Sequence, residues 1–417
     1  MTHTRMLSAI VAVIMVVGAV GAAGSARAQT PFAVQSVGQR LADGDARMLG
    51  RGGWGLAESD TLHPGFKNPA SAAGVRQVGL ALTGYGESAG NESANTSRST
   101  YRTYVPDARI VVPVIKGELA FSAGFKLERG TAWHTKVDST WSVWDNTVTG
   151  STQFEREGST FKVPLGLAWR AHEALAAGIT LNLERGSLRE TLAAYYDNPV
   201  NASGIPFYRS VIGVAEDQFT GTSATLALLA TPFRDWRVGV TWTGEHAIDG
   251  RRKTELGGVA ERTFTDFELQ RPAELSVGLA AGLGERWEVG LDLRRQDWRR
   301  FVAPPAWLAR PGWQDELVDE LQLGAGIERR RGTVRRAGWA NLPLRVGVGL
   351  HRWPYQVGGN EVLERSVSVG TGFPLSGDRG TLDVGLTLGR IGDRQDNGLT
   401  STYLRLAVSV TGLEAWW

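Results

Sequence analysis

The chain has 417 residues, with 45 bases against 43 acids, 53 Gly, 15 Trp and no Cys. The lack of Cys excludes disulfides, thiolate metal sites and a lipid anchor on an N-terminal Cys. The near balance of charge gives no support to a nucleic-acid-binding surface, and the regular recurrence of apolar and aromatic residues excludes low-complexity disorder.

Residues 1–28 read as a signal peptide. His3 and Arg5 precede an apolar run from Leu7 to Val20, and Ala26-Arg27-Ala28 supplies an A-x-A cleavage site. Arg5 and Arg27 are the only Lys, Arg, Asp or Glu residues of that segment, so its removal leaves 43 bases and 43 acids. Beyond it no run of about 18 apolar residues occurs, so no transmembrane helix is expected. If the exported chain sits in a membrane, it must do so as a closed barrel, because open sheet edges cannot be satisfied in lipid.

Residues 29–73 do not alternate and are rich in Gly and Ala. They are too few to form a core of their own, and they read as a plug inside the wider structure. From residue 74 to 417 the pattern changes to period two. In GELAFSAGFKLERG (117–130), Leu119, Phe121, Ala123, Phe125 and Leu127 share one face, while Glu118, Ser122, Gly124, Lys126 and Glu128 share the other. The same alternation recurs over about 74–85, 101–112, 117–129, 159–171, 175–188, 217–231, 236–248, 264–282, 286–300, 317–330, 341–353, 362–375, 379–391 and 402–412, which makes fourteen strands. Most reach the roughly 9–11 residues of a tilted membrane-crossing strand. Long connections (86–100, 130–158, 189–216, 249–263, 301–316) alternate with short ones (113–116, 172–174, 232–235, 283–285). That rhythm predicts a fourteen-stranded antiparallel transmembrane β-barrel with short periplasmic turns and long outer loops. The apolar faces then meet lipid. Trp169, Trp236, Trp287, Trp298, Trp339 and Trp353 near strand ends read as interfacial girdles.

Within the plug, Trp54, Leu56, Leu62 and Phe66 lie close together. They either face a greasy cavity that binds an apolar ligand or pack the plug against the wall. Asn68 suits a turn and Pro69 fixes the entry to the first strand. Catalytic chemistry finds little purchase. GESAG (86–90) matches G-x-S-x-G, but a polar loop follows it instead of a helix. His63, His134, His172, His246 and His351 are scattered, so no metal site and no cofactor are expected. The mixed signs on the lumen face, among them Lys126, Lys162, Glu184, Arg237, Glu288, Asp292, Arg294, Arg345, Asp383 and Arg405, argue against a strongly ion-selective pore. Leu291 is expected to face lipid and Asp292 the lumen, where substitution by Arg should be far milder.

The stretch ARMLGRGGWGLAESDTLHPGFKNPAS resembles the N-terminal signature of the FadL-type outer-membrane family, which includes fatty-acid and aromatic-hydrocarbon uptake barrels and a branch that works beside type IX secretion. Ala46-Arg47, Gly52-Gly53, Ala57, Asp60 and Asn68-Pro69-Ala70 occupy the signature positions, and LPLRVGVGL, VSVGTGF and LDVGLTLG resemble the family's last strands. The resemblance implies a fourteen-stranded barrel with an N-terminal plug, in which Arg47, Gly52, Gly53, Asp60, Asn68 and Pro69 are structural. It further implies residence in the bacterial outer membrane, contact with outer-membrane lipid, the barrel-assembly machinery as a partner, and uptake of a hydrophobic small molecule. The tail LEAWW is closer to the secretion-associated, PorV-like branch, which implies the alternative of a scaffold barrel that meets secretion-system proteins.

Overall fold

The computed structural model describes residues 30–34, 38–41, 44–60, 67–143, 146–197, 210–257, 262–302, 316–331, 341–375 and 379–414. The expected signal peptide, Leu62, Phe66, His63, Trp339 and the terminal Trp416-Trp417 lie outside them.

Fourteen antiparallel strands close on themselves. They are β1 (Val78–Ser93), β2 (Ser97–Ile115), β3 (Leu119–Val143), β4 (Asn146–His172), β5 (Leu175–Tyr196) and β6 (Val211–Phe233). Next come β7, in two segments (Trp236–Thr243 and His246–Leu256), and β8, also in two (Arg262–Arg271 and Glu274–Leu283). The circuit finishes with β9 (Trp287–Asp297), β10 (Asp319–Arg329), β11 (Leu344–Val357), β12 (Asn360–Leu375), β13 (Gly380–Ile391) and β14 (Leu399–Glu414). Each strand pairs with the next, and β14 closes on β1 from Leu399↔Ser93 to Glu414↔Val78. The breaks in β7 and β8 fall at the same height, between the pairs Thr243↔Glu274 and His246↔Arg271. Pro272 lies in the gap and has no amide to donate.

The period-two pattern resolves as expected. Phe121, Leu167, Ile179, Leu228, Leu291, Val348, Leu388 and Leu406 point outward and are 39–54 % exposed. Their inward neighbours Ala120, Ala168, Ala227, Asp292 and Arg405 are buried. This inversion, apolar outside and charged inside, belongs to a barrel built for lipid.

Three expectations need correction. The described residues of the connections 86–100, 130–158 and 189–216 are mostly strand. β3 and β4 have 25 and 27 residues, so they overshoot a crossing of roughly 9–11 residues by about 14–18 residues, roughly 45–60 Å at about 3.3 Å per residue. Consequently GESAG sits within β1, where Ser88 points out of the barrel and is exposed. Of the girdle residues, Trp169, Trp236 and Trp287 are 41–56 % exposed on the outer wall, but Trp298 and Trp353 are buried inside the lumen at 0 and 2 %. There they join Phe32, Phe219, Leu269, Phe301, Tyr355 and Tyr403 in an apolar cluster toward the end of the barrel opposite the short turns.

Candidate functional site: the plug and the lumen

The described part of the plug, from Thr30 to Val75, lies within the circuit of strands. Phe32 stacks edge-on against Trp353 at 6.1 Å, and Tyr355 donates its hydroxyl to the Phe32 carbonyl. Gln39 and Arg40 pair with Gly130 and Arg129 of β3. A short helix, α1 (Ala46–Gly50), starts at Asp45, whose carboxylate accepts from the Met48 amide at 2.8 Å. The turn at Gly52 and Gly53 has φ of +77° and +82°, a region where a side chain would be strained. A 3-10 turn, Pro69–Gly74, follows. Asn68 caps it by accepting from the Ala70 amide at 3.0 Å, and its Nδ2 donates to the carbonyls of Leu56 and Leu228, each at 2.9 Å. Asn68 therefore ties two plug segments to β6.

The wall receives this backbone on glycine. A Cβ at Gly385 would lie 2.6 Å from the Ala46 carbonyl oxygen. One at Gly347 would fall on the Gly52 amide, one at Gly326 on the Arg51 carbonyl, and one at Gly290 on the Trp54 ring. The inward positions that alternate with lipid-facing Leu and Val are glycine here because the plug's main chain occupies the space of their side chains. The 3-10 turn finds a comparable seat on Ala120, Ala168, Ala176 and Ala227.

Ion pairs fasten the seat. The Glu328 carboxylate of β10, 2 % exposed, accepts from Arg47 (Nε 3.0 Å and Nη2 3.0 Å), from Arg51 (Nη1 2.7 Å) and from Arg345 of β11 (Nε 2.9 Å). Arg47 also reaches Glu58 at 2.8 Å and contacts Asp60. Arg51 reaches Glu58 at 2.5 Å, and Arg345 reaches Asp383 at 2.6 Å. The Arg51 guanidinium lies 3.8 Å over the Trp54 ring. Higher up, Glu320 accepts from Arg40 (3.1 Å), Arg129 (2.6 Å) and the Trp298 indole (2.8 Å). On β9, Asp292 accepts from the amides of Gly55 (2.8 Å) and Leu56 (3.1 Å) and contacts Lys67 at 3.4 Å. Such pairs need excellent geometry to offset their desolvation, and losing one partner strands a buried charge.

Several sequence-singled residues thus act together. Arg47, Gly52, Gly53, Asp60, Asn68 and Pro69 are all in the seat. Trp54 is fully buried with Ala57 and Ala280 against the wall, and Leu56 is buried over Gly239 and Gly278 beside a polar chamber. The expectation of mildness at Asp292 is overturned, because its carboxylate holds plug amides. Arg51, Glu58, Glu320 and Glu328 were not singled out. A period-two pattern marks them as inward but cannot say that they converge across some 280 residues of sequence.

The lumen holds three kinds of space. A polar chamber of about 110 Å³ lies above the plug turn, bordered by Gly52, Leu56, Ser122, Thr180, Thr241 and Asp292 among others. A vestibule of about 530 Å³ opens at the end carrying the short turns, lined by Arg237, Glu288, Arg330 and Phe373. An apolar pocket of about 20 Å³ sits among Phe219, Ile248, Leu269, Trp298 and Phe301.

A closed fourteen-stranded barrel with a seated N-terminal plug is the FadL-type architecture. The structure is similar to a Pseudomonas aeruginosa FadL homologue (TM-score 0.58, 14 % identity, covering 89 % of this chain and 99 % of that one). It is also similar to the Ralstonia pickettii toluene transporter TbuX (0.57, 16 %, 89 % and 99 %) and the Pseudomonas putida toluene transporter TodX (0.54, 14 %, 90 % and 100 %). At these identities the likeness establishes the fold. The family model described as BamG matches residues 6–228 and 243–417, and the chain belongs to that family. Among curated proteins, none matches the sequence significantly. The secretion-associated likeness read from the tail gains no support from these matches.

Proposed function

We propose that this chain is an outer-membrane barrel with a sealed lumen that works as a partner of the barrel-assembly machinery and not as an open passage. The observation that carries this reading is the seat. Plug main chain rests on wall glycines, and buried carboxylates on β9 and β10 bind it, while aromatic side chains cluster in the lumen toward the end opposite the short turns. The family's name hints at the same machinery. Apolar outward faces 39–54 % exposed support residence in a membrane, and the expected signal peptide supports export.

A second reading, uptake of a hydrophobic small molecule such as a fatty acid or an aromatic, is supported by the fold shared with the hydrocarbon channels and by the apolar pocket at Phe219, Leu269 and Trp298. One depletion experiment separates the two. Under the partner reading, loss of the protein lowers the amount of folded outer-membrane barrels and leaves toluene and oleate uptake unchanged. Normal barrel levels with reduced uptake would reverse the choice.

A further inference from the structure

On the outside of the wall, at the end opposite the short turns, three arginines stand together. Arg352 of β11, Arg365 of β12 and Arg390 of β13 share the outward face. Arg365 lies directly opposite Arg390, and Arg352, opposite Leu363, is its diagonal neighbour. Like charges directly opposite on one face, with Cβ atoms about 5 Å apart, repel each other. Arg352 reaches Glu361 at 3.1 Å and Arg390 reaches Asp393 at 2.9 Å, both as exposed surface pairs. The adjoining helical turn adds Arg394 and Asp396, which cancel. Arg365 is exposed, and among the described residues its side chain makes no hydrogen bond or ion pair.

Elsewhere the outer wall matches its charges. Arg251 meets its cross-strand partner Asp266 at 2.8 Å, and Arg189 meets Glu216 at 3.5 Å. Where two acids stand opposite, at Asp297 and Asp319, Arg299 bridges them at 2.8 and 3.0 Å. At Arg365 the chain supplies no counter-ion. The height of the cluster points to the missing group. Each arginine follows, on the same face of its strand, one lipid-facing residue: Leu350, Val367 or Leu388, 41–55 % exposed. The three guanidinium groups therefore stand where hydrocarbon gives way to headgroups. Their apolar stems can lie along the wall, and a planar guanidinium binds phosphate oxygens in pairs.

We propose that Arg352, Arg365 and Arg390 form an exterior seat for one phosphorylated lipid headgroup of the outer leaflet, whose acyl chains lie along Leu350, Val367 and Leu388. Charge complementarity selects the headgroup, and continuity with the apolar wall selects a lipid over a free ion. The inference rests on membrane residence and on neither functional reading. Insertion into lipid vesicles, which Arg365→Gln should not alter, reports on residence separately.

The test is native mass spectrometry of the full chain in a mild detergent, with diphosphoryl lipid A as the probe. One bound equivalent is expected. Arg365→Gln should weaken its retention about fivefold, the weight of one basic residue at a membrane surface. Arg365→Lys, which keeps the charge without the planar fork, should restore part of the loss. Arg170→Gln, at an exposed arginine of the short-turn end, should leave retention unchanged. Removing the phosphates from the probe should cost at least as much as removing the Arg365 guanidinium. Folding of each variant is read from heat-modifiable gel migration, and Arg390→Gln replaces Arg365→Gln if the latter does not fold. Retention that ignores the arginine substitution, equal retention of the dephosphorylated probe, or displacement of the lipid by an equal amount of inorganic phosphate would each overturn the seat.

Discussion

Glu328 is the sharpest point at which to test the seat. Its carboxylate binds Arg47 and Arg51 of the plug and Arg345 of the wall at once. Glu328→Gln keeps the shape and removes the charge. Each side can then satisfy itself alone, the plug through Arg47 and Arg51 with Glu58 and Asp60, the wall through Arg345 with Asp383. The bond between the two sides is what is lost. Breaking a buried pair costs about 3–5 kcal/mol, and the remaining partners favour the lower figure. About 3 kcal/mol corresponds to a change of roughly 100-fold in the seating equilibrium. The chain has no Cys, so Met48→Cys, at a position 1 % exposed on α1, reports seating through its rate of maleimide labelling. In that background Glu328→Gln should speed labelling by about 100-fold by the same conversion, with the barrel's heat-modifiable migration unchanged. A rate within a few-fold of the parent's would show that Glu328 does not fasten the plug.

Deleting residues 30–65 should leave a barrel that assembles and conducts small ions in planar bilayers, and a deletion variant no more conductive than the full chain would mean that the segment does not seal the lumen. Gly347→Val should unseat the turn at Gly52, because its side chain would occupy the place of that amide; faster labelling of Met48→Cys is the readout. Leu291→Arg should cost roughly 2–4 kcal/mol in folding into lipid vesicles if Leu291 lies near the midplane, whereas Asp292→Ala should release the plug while sparing insertion. On intact cells Ser139→Cys should label and Ala174→Cys should not, and the reverse would invert the orientation.

What the sequence determined by itself is the wall. Alternation is a local property, since each strand declares its two faces without reference to its neighbours. Fourteen strands, their approximate places and the lipid-facing set of Leu119 to Leu127 could therefore be read directly. The signature around Arg47, Gly52 and Asn68 also marked a plug. Tertiary structure decided what the inward face does. Glu328 and Arg51 lie 277 residues apart, and only closure of the sheet brings them within bonding distance. The inward glycines read as gaps in a pattern until the plug's main chain is seen lying on them. Trp298 and Trp353 sit at strand ends like girdle residues, yet both turn inward. A Trp side chain satisfies a lipid interface and a lumen core equally well, and which one it meets depends on the path of the chain beyond the strand.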